Sequence, residues 1–214
     1  MYAPRLEEHF DELPKQRHAA RLGVWIFLAS ELLLFAGLFA LYFGYRLHYP
    51  EVFIEGVVHN GRGLGTLNTC LLLLGSVAAA AGVGELRRDR DGRARILFAL
   101  GTLLALAFLG VKGTEYARHF HEGIAPGGSG AFFAAHREPG WPVFFTLYFA
   151  MTGLHAIHVV IGMLLLGAVA VWIGRRRPGR AGAHRAELAA LYWHFVDAVW
   201  VFLWPMFYLL GGGR

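Results

Sequence analysis

The sequence contains little that could cross-link a chain, and it carries little charge for its length. Only one of its 214 residues is cysteine, Cys70, so an internal disulfide and a cluster of thiolate metal ligands are both excluded. Charged side chains make up 16% of the chain, and several long stretches contain almost none. Those stretches also lack the alternation of polar and apolar residues that a membrane β-barrel requires. A disulfide-stabilised domain and a barrel are therefore poor descriptions of this chain.

Long apolar segments are present instead. Hydrophobic residues make up 56% of the chain, and they concentrate at 22–45, 64–86, 96–117, 141–173 and 188–210. About 20 apolar residues suffice for a helix to cross a bilayer, so the pattern predicts an all-α membrane protein with a bundle of five transmembrane helices. We expect one domain, 22–210, after a polar arm, 1–21, that is solvated or interfacial. No apolar stretch precedes Leu22, so we expect no cleavable signal peptide.

Basic residues are sorted between alternate loops. Four precede the first segment, five lie between segments two and three, and five lie between segments four and five, whereas the opposite side holds five in all. Loops rich in Lys and Arg face the cytoplasm, so we expect a cytoplasmic N-terminus and an external C-terminus. The two arginine-rich loops contain no aromatic residues for base stacking, which argues against a nucleic-acid partner.

Proline and glycine mark two interruptions. The loop at 118–140 contains Pro126-Gly127-Gly128-Ser129-Gly130, a turn signal that disfavours a regular helix there. Pro205 lies inside the fifth segment and should kink it or loosen its final turns. The loops after segments two and four are short, so we expect each flanking pair of helices to form an antiparallel hairpin.

Glu31 is an acidic residue within the first segment. Its helical neighbours are Phe27, Leu28, Leu34 and Phe35, and such surroundings disfavour an ionised carboxyl group. Three interpretations follow: a group that handles protons, a carboxylate that pairs with a cation, or a neutral carboxyl that hydrogen-bonds to another helix. We expect Glu31 to lie inside the bundle, with His158 as the first candidate partner.

The third segment ends with Lys112, Glu115 and Tyr116. Lys112 and Glu115 are three residues apart and can pair along one helix face. The alternative is that both charged groups extend to the external interface, with Tyr116 as an interfacial anchor. From the sequence we favour the interface.

Three histidines and one carboxylate lie in the last two segments: His155, His158, His194 and Asp197. They offer a possible metal site with three imidazoles and one carboxylate. No pair has the i,i+4 spacing or the additional glutamates of metal sites in helical bundles. We therefore expect no metal and assign these side chains to hydrogen bonds between helices.

The order of these motifs resembles subunit III of the haem–copper respiratory oxidases, the cytochrome c oxidase subunit 3 family. The resemblance extends over about residues 20–210, and its most specific parts are the two histidine-bearing motifs. The matching residues are Trp25, Phe27, Leu28, Ser30 and Glu31; Asn68 and Thr69; Lys112, Glu115 and Tyr116; His155 and His158; and Tyr192, Trp193, His194, Phe195, Val196 and Asp197.

The resemblance implies a subunit of the bacterial cytoplasmic (inner) membrane without haem or copper. Those cofactors would belong to subunits I and II, and this chain would stabilise subunit I, bind phospholipid and support proton uptake and oxygen access. Glu31, His155, His158, His194 and Asp197 become candidates for buried polar or proton-handling roles. Asn68, Lys112, Glu115, Tyr116, Tyr192 and Trp193 become structural polar candidates, and no residue is expected to be catalytic. Longer members have seven helices, and the resemblance begins at the third, so the lipid cleft formed by the first two would be incomplete.

Other functions remain open at this stage. The complex could be a quinol oxidase, or the chain could be the subunit III-like partner of nitric oxide reductase. An alternative from another class is an independent transporter that uses the intramembrane polar residues as a path. Two similar inverted halves would support a transporter, and this sequence lacks them. A membrane metalloenzyme would use the three histidines.

Overall fold

A computed structural model describes residues 11–211, and within that range it contains helices and no strand. Five of the helices are long and apolar enough to cross a membrane. They are α1 (Leu13–His48), α3 (Arg62–Arg87), α4 (Asp91–His121), α6 (Gly140–Arg176) and α7 (Ala183–Trp204). The prediction of an all-α protein with five spans is confirmed. The predicted arm overlaps the start of α1, and its residues 1–10 lie outside the described range.

Two short helices fill the longer connections. The first, α2, covers Pro50–Asn60 and was not predicted. Its sequence signals are Pro50 and Glu51 in the first turn, where a missing amide and a negative charge both suit a helix start. Gly61 ends it with φ 75°, a conformation that favours glycine. The second short helix, α5, covers Ala131–Ala135 and follows the glycine-rich turn.

The proline in the last segment changes its helical geometry as predicted. Regular α-helix ends at Trp204, and Pro205–Leu209 forms a π-helical turn. Side chains from elsewhere bind its carbonyl groups: Tyr42 donates to Met206 O at 2.5 Å, and Asn60 Nδ2 donates to Phe207 O at 3.1 Å. Because buried carbonyl groups need donors, these bonds fix the distorted turn.

The described residues divide into two compact units. The first contains 11–32, 72–106 and 159–197. Its core is built around the ring of Trp193, which is fully buried and lies where a Cβ atom on Gly162 would approach within 2.8 Å. Gly82 likewise lets the ring of Phe98 pack against the backbone of α3, since a Cβ atom on Gly82 would lie 2.9 Å from that ring. The hairpin expected between α3 and α4 fits this close approach.

The second unit contains 33–71, 107–158 and 198–211. Its core is aromatic: Tyr42 contacts Phe53 and Phe207 edge-on at centroid distances of 5.2 and 5.1 Å, and Phe53 contacts Phe144 at 5.2 Å. Edge-to-face geometry favours such ring pairs beyond the area they bury.

Helix α1 leaves most of its apolar side chains exposed, with Leu33 73% and Leu47 85% exposed. In water such a surface would be costly, but lipid tails are as apolar as leucine, so a membrane helix pays no such penalty.

Candidate functional site

The main polar site of the second unit is a buried cluster of Lys112, Glu115, Tyr148 and Tyr208, here called the lysine–glutamate cluster. Lys112 is 2% exposed and Glu115 is fully buried. The first pair comes from α4, Tyr148 from α6 and Tyr208 from the π-helical turn. The expectation that both charged groups reach the external interface is therefore wrong.

The cluster pairs its charges and shares its hydroxyl groups. The Lys112 Nζ atom lies 3.3 Å from Glu115 Oε2, and it donates to Tyr148 Oη at 2.9 Å and Tyr208 Oη at 2.6 Å. Both tyrosine hydroxyls donate to Glu115 Oε1 at 2.6 Å. The ring of Tyr148 also faces the ammonium group, with 4.6 Å from Nζ to the centroid. A buried charge is tolerable only with such compensation.

Tyr116 belongs to the rim of this cluster. Its hydroxyl hydrogen-bonds with Thr152 Oγ1 at 2.6 Å, and Thr152 Oγ1 donates to Tyr148 O at 2.6 Å. The ring lies 5.2 Å from Lys112 Nζ. Tyr116 is thus tied to α6 as well as to the charged pair.

The sequence did not single out Tyr148 or Tyr208, because nothing in one sequence pairs them with residues 33–96 positions away. The one available signal was Pro205, since a loosened turn presents the side chains that follow it in a new direction.

Two histidines of α6 lie in the second unit but do not share a ligand. His155 is fully buried and packs against Phe108 and Trp200 at 5.7 and 5.1 Å. Neither ring nitrogen of His155 has a hydrogen-bond partner among the described residues. His158 has its Nδ1 atom 2.9 Å from Leu154 O and its ring 5.5 Å from Phe35.

Asn68 is also fully buried in the second unit, and its side-chain atoms have no hydrogen-bond partner in the described range. The adjacent Thr69 accepts a bond from Trp200 Nε1 at 3.0 Å and donates to Gly65 O at 2.9 Å. This part of α3 therefore bonds to α7 through the threonine.

In the first unit, the histidine and aspartate of the last span meet a serine of α3 that the sequence did not pair with them. His194 Nδ1 lies 2.5 Å from Ser76 Oγ, and Ser76 also hydrogen-bonds with Asp197. Asp197 is 7% exposed, and its Oδ1 atom has no partner among residues 11–211. The predicted interhelical hydrogen bonds thus exist for His194 and Asp197, with α3 as the other helix.

Glu31 is half-buried. Leu28 and Phe35 are buried, but Phe27 and Leu34 are 45% and 47% exposed, so within this chain the carboxyl group is only partly enclosed. The carboxyl group of Glu31 interacts electrostatically with Tyr192. Tyr192 also stacks on Phe27 with 6.2 Å between ring centroids. The pairing of Glu31 with His158 stays a prediction.

In the described part of the chain, no three His, Cys, Asp or Glu side chains gather as a metal ion would require. The polar residues described above take part in hydrogen bonding, ion pairing and aromatic packing. Each of these fastens helices to one another.

Comparison with known proteins gives a consistent result over almost the whole chain. The family model described as cytochrome c oxidase subunit III matches residues 11–212. Quinol oxidase subunit 3 of Bacillus subtilis (strain 168) is 29% identical over 197 residues, which cover 90% of this chain and 87% of that protein. Cytochrome c oxidase subunit 3 of Thermostichus vulcanus is 31% identical over 192 residues, covering 88% and 86%. Cytochrome c oxidase subunit 3 of Bacillus sp. (strain PS3) is 29% identical over 196 residues, covering 89% and 85%.

Proposed function

The chain belongs to the cytochrome c oxidase subunit III family, and from that premise we propose that it is the non-redox third subunit of a bacterial haem–copper terminal oxidase. It is a multi-pass membrane protein and part of an oxidase complex. The proposal rests on the family match over residues 11–212, which includes all five spans. We place the chain in the cytoplasmic membrane, against subunits I and II.

We assign the redox cofactors to those partner subunits. The donor set supports this, because the described residues provide no group of three metal-ligating side chains. His155 is held between aromatic rings, and His194 is bonded to Ser76. When haem and copper are present in the complex, they supply electron transfer and oxygen reduction. This chain's residues hold helices, bind lipid and present a surface to subunit I.

The lysine–glutamate cluster supports a structural role. Both tyrosines donate to the carboxylate, and the ammonium group faces that carboxylate and both phenolic oxygens. Both charged groups are enclosed, and each is held by hydroxyl groups from other helical elements. We infer that the cluster sets the packing of the second unit.

An apolar groove supports the lipid-binding part of the proposal. It lies in the first unit, has a volume of about 480 Å³, and is lined by side chains that include Val24, Phe27, Leu165, Trp172 and Tyr192. Its walls are almost wholly hydrocarbon and aromatic, which suits an acyl chain. We propose that a phospholipid tail occupies it.

The electron donor is the point on which the relatives differ. We propose cytochrome c, and the second candidate is a quinol, favoured by the match to the Bacillus subtilis quinol oxidase subunit 3. Oxygen consumption by the purified complex with reduced cytochrome c or with a reduced quinol separates these two. The independent transporter, the metalloenzyme and the partner of nitric oxide reductase have no supporting observation.

Purification tests the main proposal. A tagged chain, extracted from native membranes in a mild detergent, should migrate on a blue-native gel with a larger haem-containing partner. Peptide mass spectrometry of that band should identify oxidase subunits I and II. A stable, haem-free monomer as the sole native form would contradict the proposal.

A further inference from the structure

The first unit contains an open pocket that none of the preceding roles uses. It has a volume of about 440 Å³ and lies where the first turns of α1 and α7 meet the last residue of α3. Its lining includes Arg17, Arg21, Arg87, Arg180 and Glu187. We call it the arginine pocket.

The charges of this pocket do not balance. Glu187 is the one carboxylate in its lining, and it is already shared: Oε1 lies 2.9 Å from Arg87 Nη2, and Oε2 lies 3.5 Å from Arg21 Nη2. Arg17 and Arg180 face the same space without a second carboxylate in the wall. Four guanidinium groups against one carboxylate leave an excess of three positive charges, and self-repulsion of that kind is relieved by an anion.

The backbone adds to the positive field. Helices α1 and α7 both begin at this pocket, and neither has an acidic residue in its first turn. The N-terminus of a helix carries a partial positive charge, and acidic residues usually offset it. Asp11 and Glu12 directly precede α1 and offset its end in part, so the end of α7 is the one left to an outside anion.

Two further features of the pocket suit a bound ligand: a wall that is fixed in position and a polar atom in that wall without a partner. The turn that carries Arg180 is held in place, because Asp91 Oδ1 accepts from Gly179 N at 2.9 Å and Asp89 Oδ1 accepts from Arg180 N at 2.7 Å. The Nε2 atom of His184, in the pocket wall, is buried and has no hydrogen-bond partner within the described range.

We propose that the arginine pocket binds a phosphate group. The planar guanidinium group matches phosphate oxygens in pairs, and the pocket is far larger than the roughly 30 Å³ that a water molecule occupies in the liquid. It therefore has room for the phosphate and for part of the molecule that bears it. That molecule is an anionic phospholipid or a soluble phosphate, and the two sources share the chemistry.

The test compares two double variants of the chain in its native assembly. R17Q/R180Q removes two positive charges from the pocket. R90Q/R93Q removes two at the adjacent start of α4, where both side chains pair with Glu85 outside the pocket. Two arms are measured: phosphatidylglycerol retained after extraction, counted by native mass spectrometry, and binding of inorganic phosphate by calorimetry.

We expect R17Q/R180Q to weaken binding by about tenfold or more in one arm, since charge-assisted contacts are the strong ones, and R90Q/R93Q to change it less than about twofold. Loss in the phosphatidylglycerol arm identifies the lipid as the source, and loss in the phosphate arm alone identifies a soluble phosphate. Equal loss in both variants, or no binding by the wild type in either arm, would overturn the proposal.

A variant that makes the pocket more positive separates a loss of binding from a loss of fold. E187Q removes the one negative charge of the pocket and frees Arg21 and Arg87. It should tighten binding in the same arm, which a damaged fold cannot do. Weaker binding by E187Q in an assembly of unchanged thermal stability would count against the proposal.

Discussion

Neutralising one member of the buried ion pair should be worse than neutralising both. In Glu115→Gln the amide oxygen still accepts from Tyr148 and Tyr208, so the change removes the charge and keeps the hydrogen bonds. It leaves the ammonium group of Lys112 without its counter-charge at a position that is 2% exposed.

The cost of the single change follows from two independent scales. Breaking a buried pair by removing one partner costs about 3–5 kcal/mol, and a lone lysine at the centre of a membrane helix costs about 2.5–3.5 kcal/mol on insertion scales. We therefore expect Glu115→Gln to destabilise the chain by about 3 kcal/mol, a change of about a hundredfold in the folding equilibrium. Lys112→Met leaves a carboxylate that still has two hydroxyl donors, so we expect a smaller loss, about 2 kcal/mol.

The double variant Lys112→Met/Glu115→Gln should recover to within about 1 kcal/mol of the wild type, because replacing a whole buried pair is often neutral. The assay is graded heating of the purified assembly, followed by size-exclusion chromatography of the tagged chain. The expected order of release is Glu115→Gln first, then Lys112→Met, with the double variant near the wild type. Thr114→Val is the control, since Thr114 is exposed and its hydroxyl donates to Val111 O in its own helix.

Additive losses, with the double variant the least stable of the three, would refute this account. They would mean that the ammonium and carboxylate groups contribute separately and that the 3.3 Å contact carries no coupling.

Three further predictions concern topology, Glu31 and helix packing. A cysteine placed at Arg90 should react only with reagent on the cytoplasmic side and one at Ser129 only from outside; either reversal would contradict the charge argument. Glu31→Gln should leave the chain in the purified complex, whereas Glu31→Ala should weaken its retention, and loss of all oxidase activity in a fully assembled Glu31→Gln complex would make the residue catalytic. Gly162→Ala should cost about 1–3 kcal/mol, because a Cβ would meet a buried indole ring at 2.8 Å. Gly110→Ala should instead be neutral or stabilising by up to about 1 kcal/mol, since nothing lies within 4 Å, and equal melting temperatures for the two variants would contradict the packing argument.

The five spans were predictable because a bilayer imposes length and apolarity on each helix separately. The effect of Pro205 was predictable for a related reason, since a missing amide acts on its own helix. Helix α2 was missed because its apolar residues are too few for a span, although Pro50 and Glu51 mark its start.

The surroundings of the polar residues were much harder to predict. Lys112 and Glu115 were expected at the interface because both side chains are long enough to reach it. Their burial depends on hydrogen bonds with tyrosines from two other helical elements, which one sequence does not reveal. The same limit applies to His194, whose serine partner lies 118 residues away. Distances along one helix are fixed by its pitch, but distances between helices depend on the whole packing arrangement.

Charge balance distinguishes the two main polar sites of this chain. In the lysine–glutamate cluster one ammonium group faces one carboxylate, both tyrosines donate to that carboxylate, and the pair is enclosed. A balanced, enclosed set needs nothing from outside, and its removal should act on stability. In the arginine pocket four guanidinium groups face one carboxylate in an open space beside two helix N-termini. An unbalanced, accessible set gains free energy from an anion, and its removal should act on binding. The variants proposed for the two sites should therefore differ in pattern: changes to the cluster lower the release temperature, whereas R17Q/R180Q lowers phosphate or lipid retention while the release temperature stays unchanged.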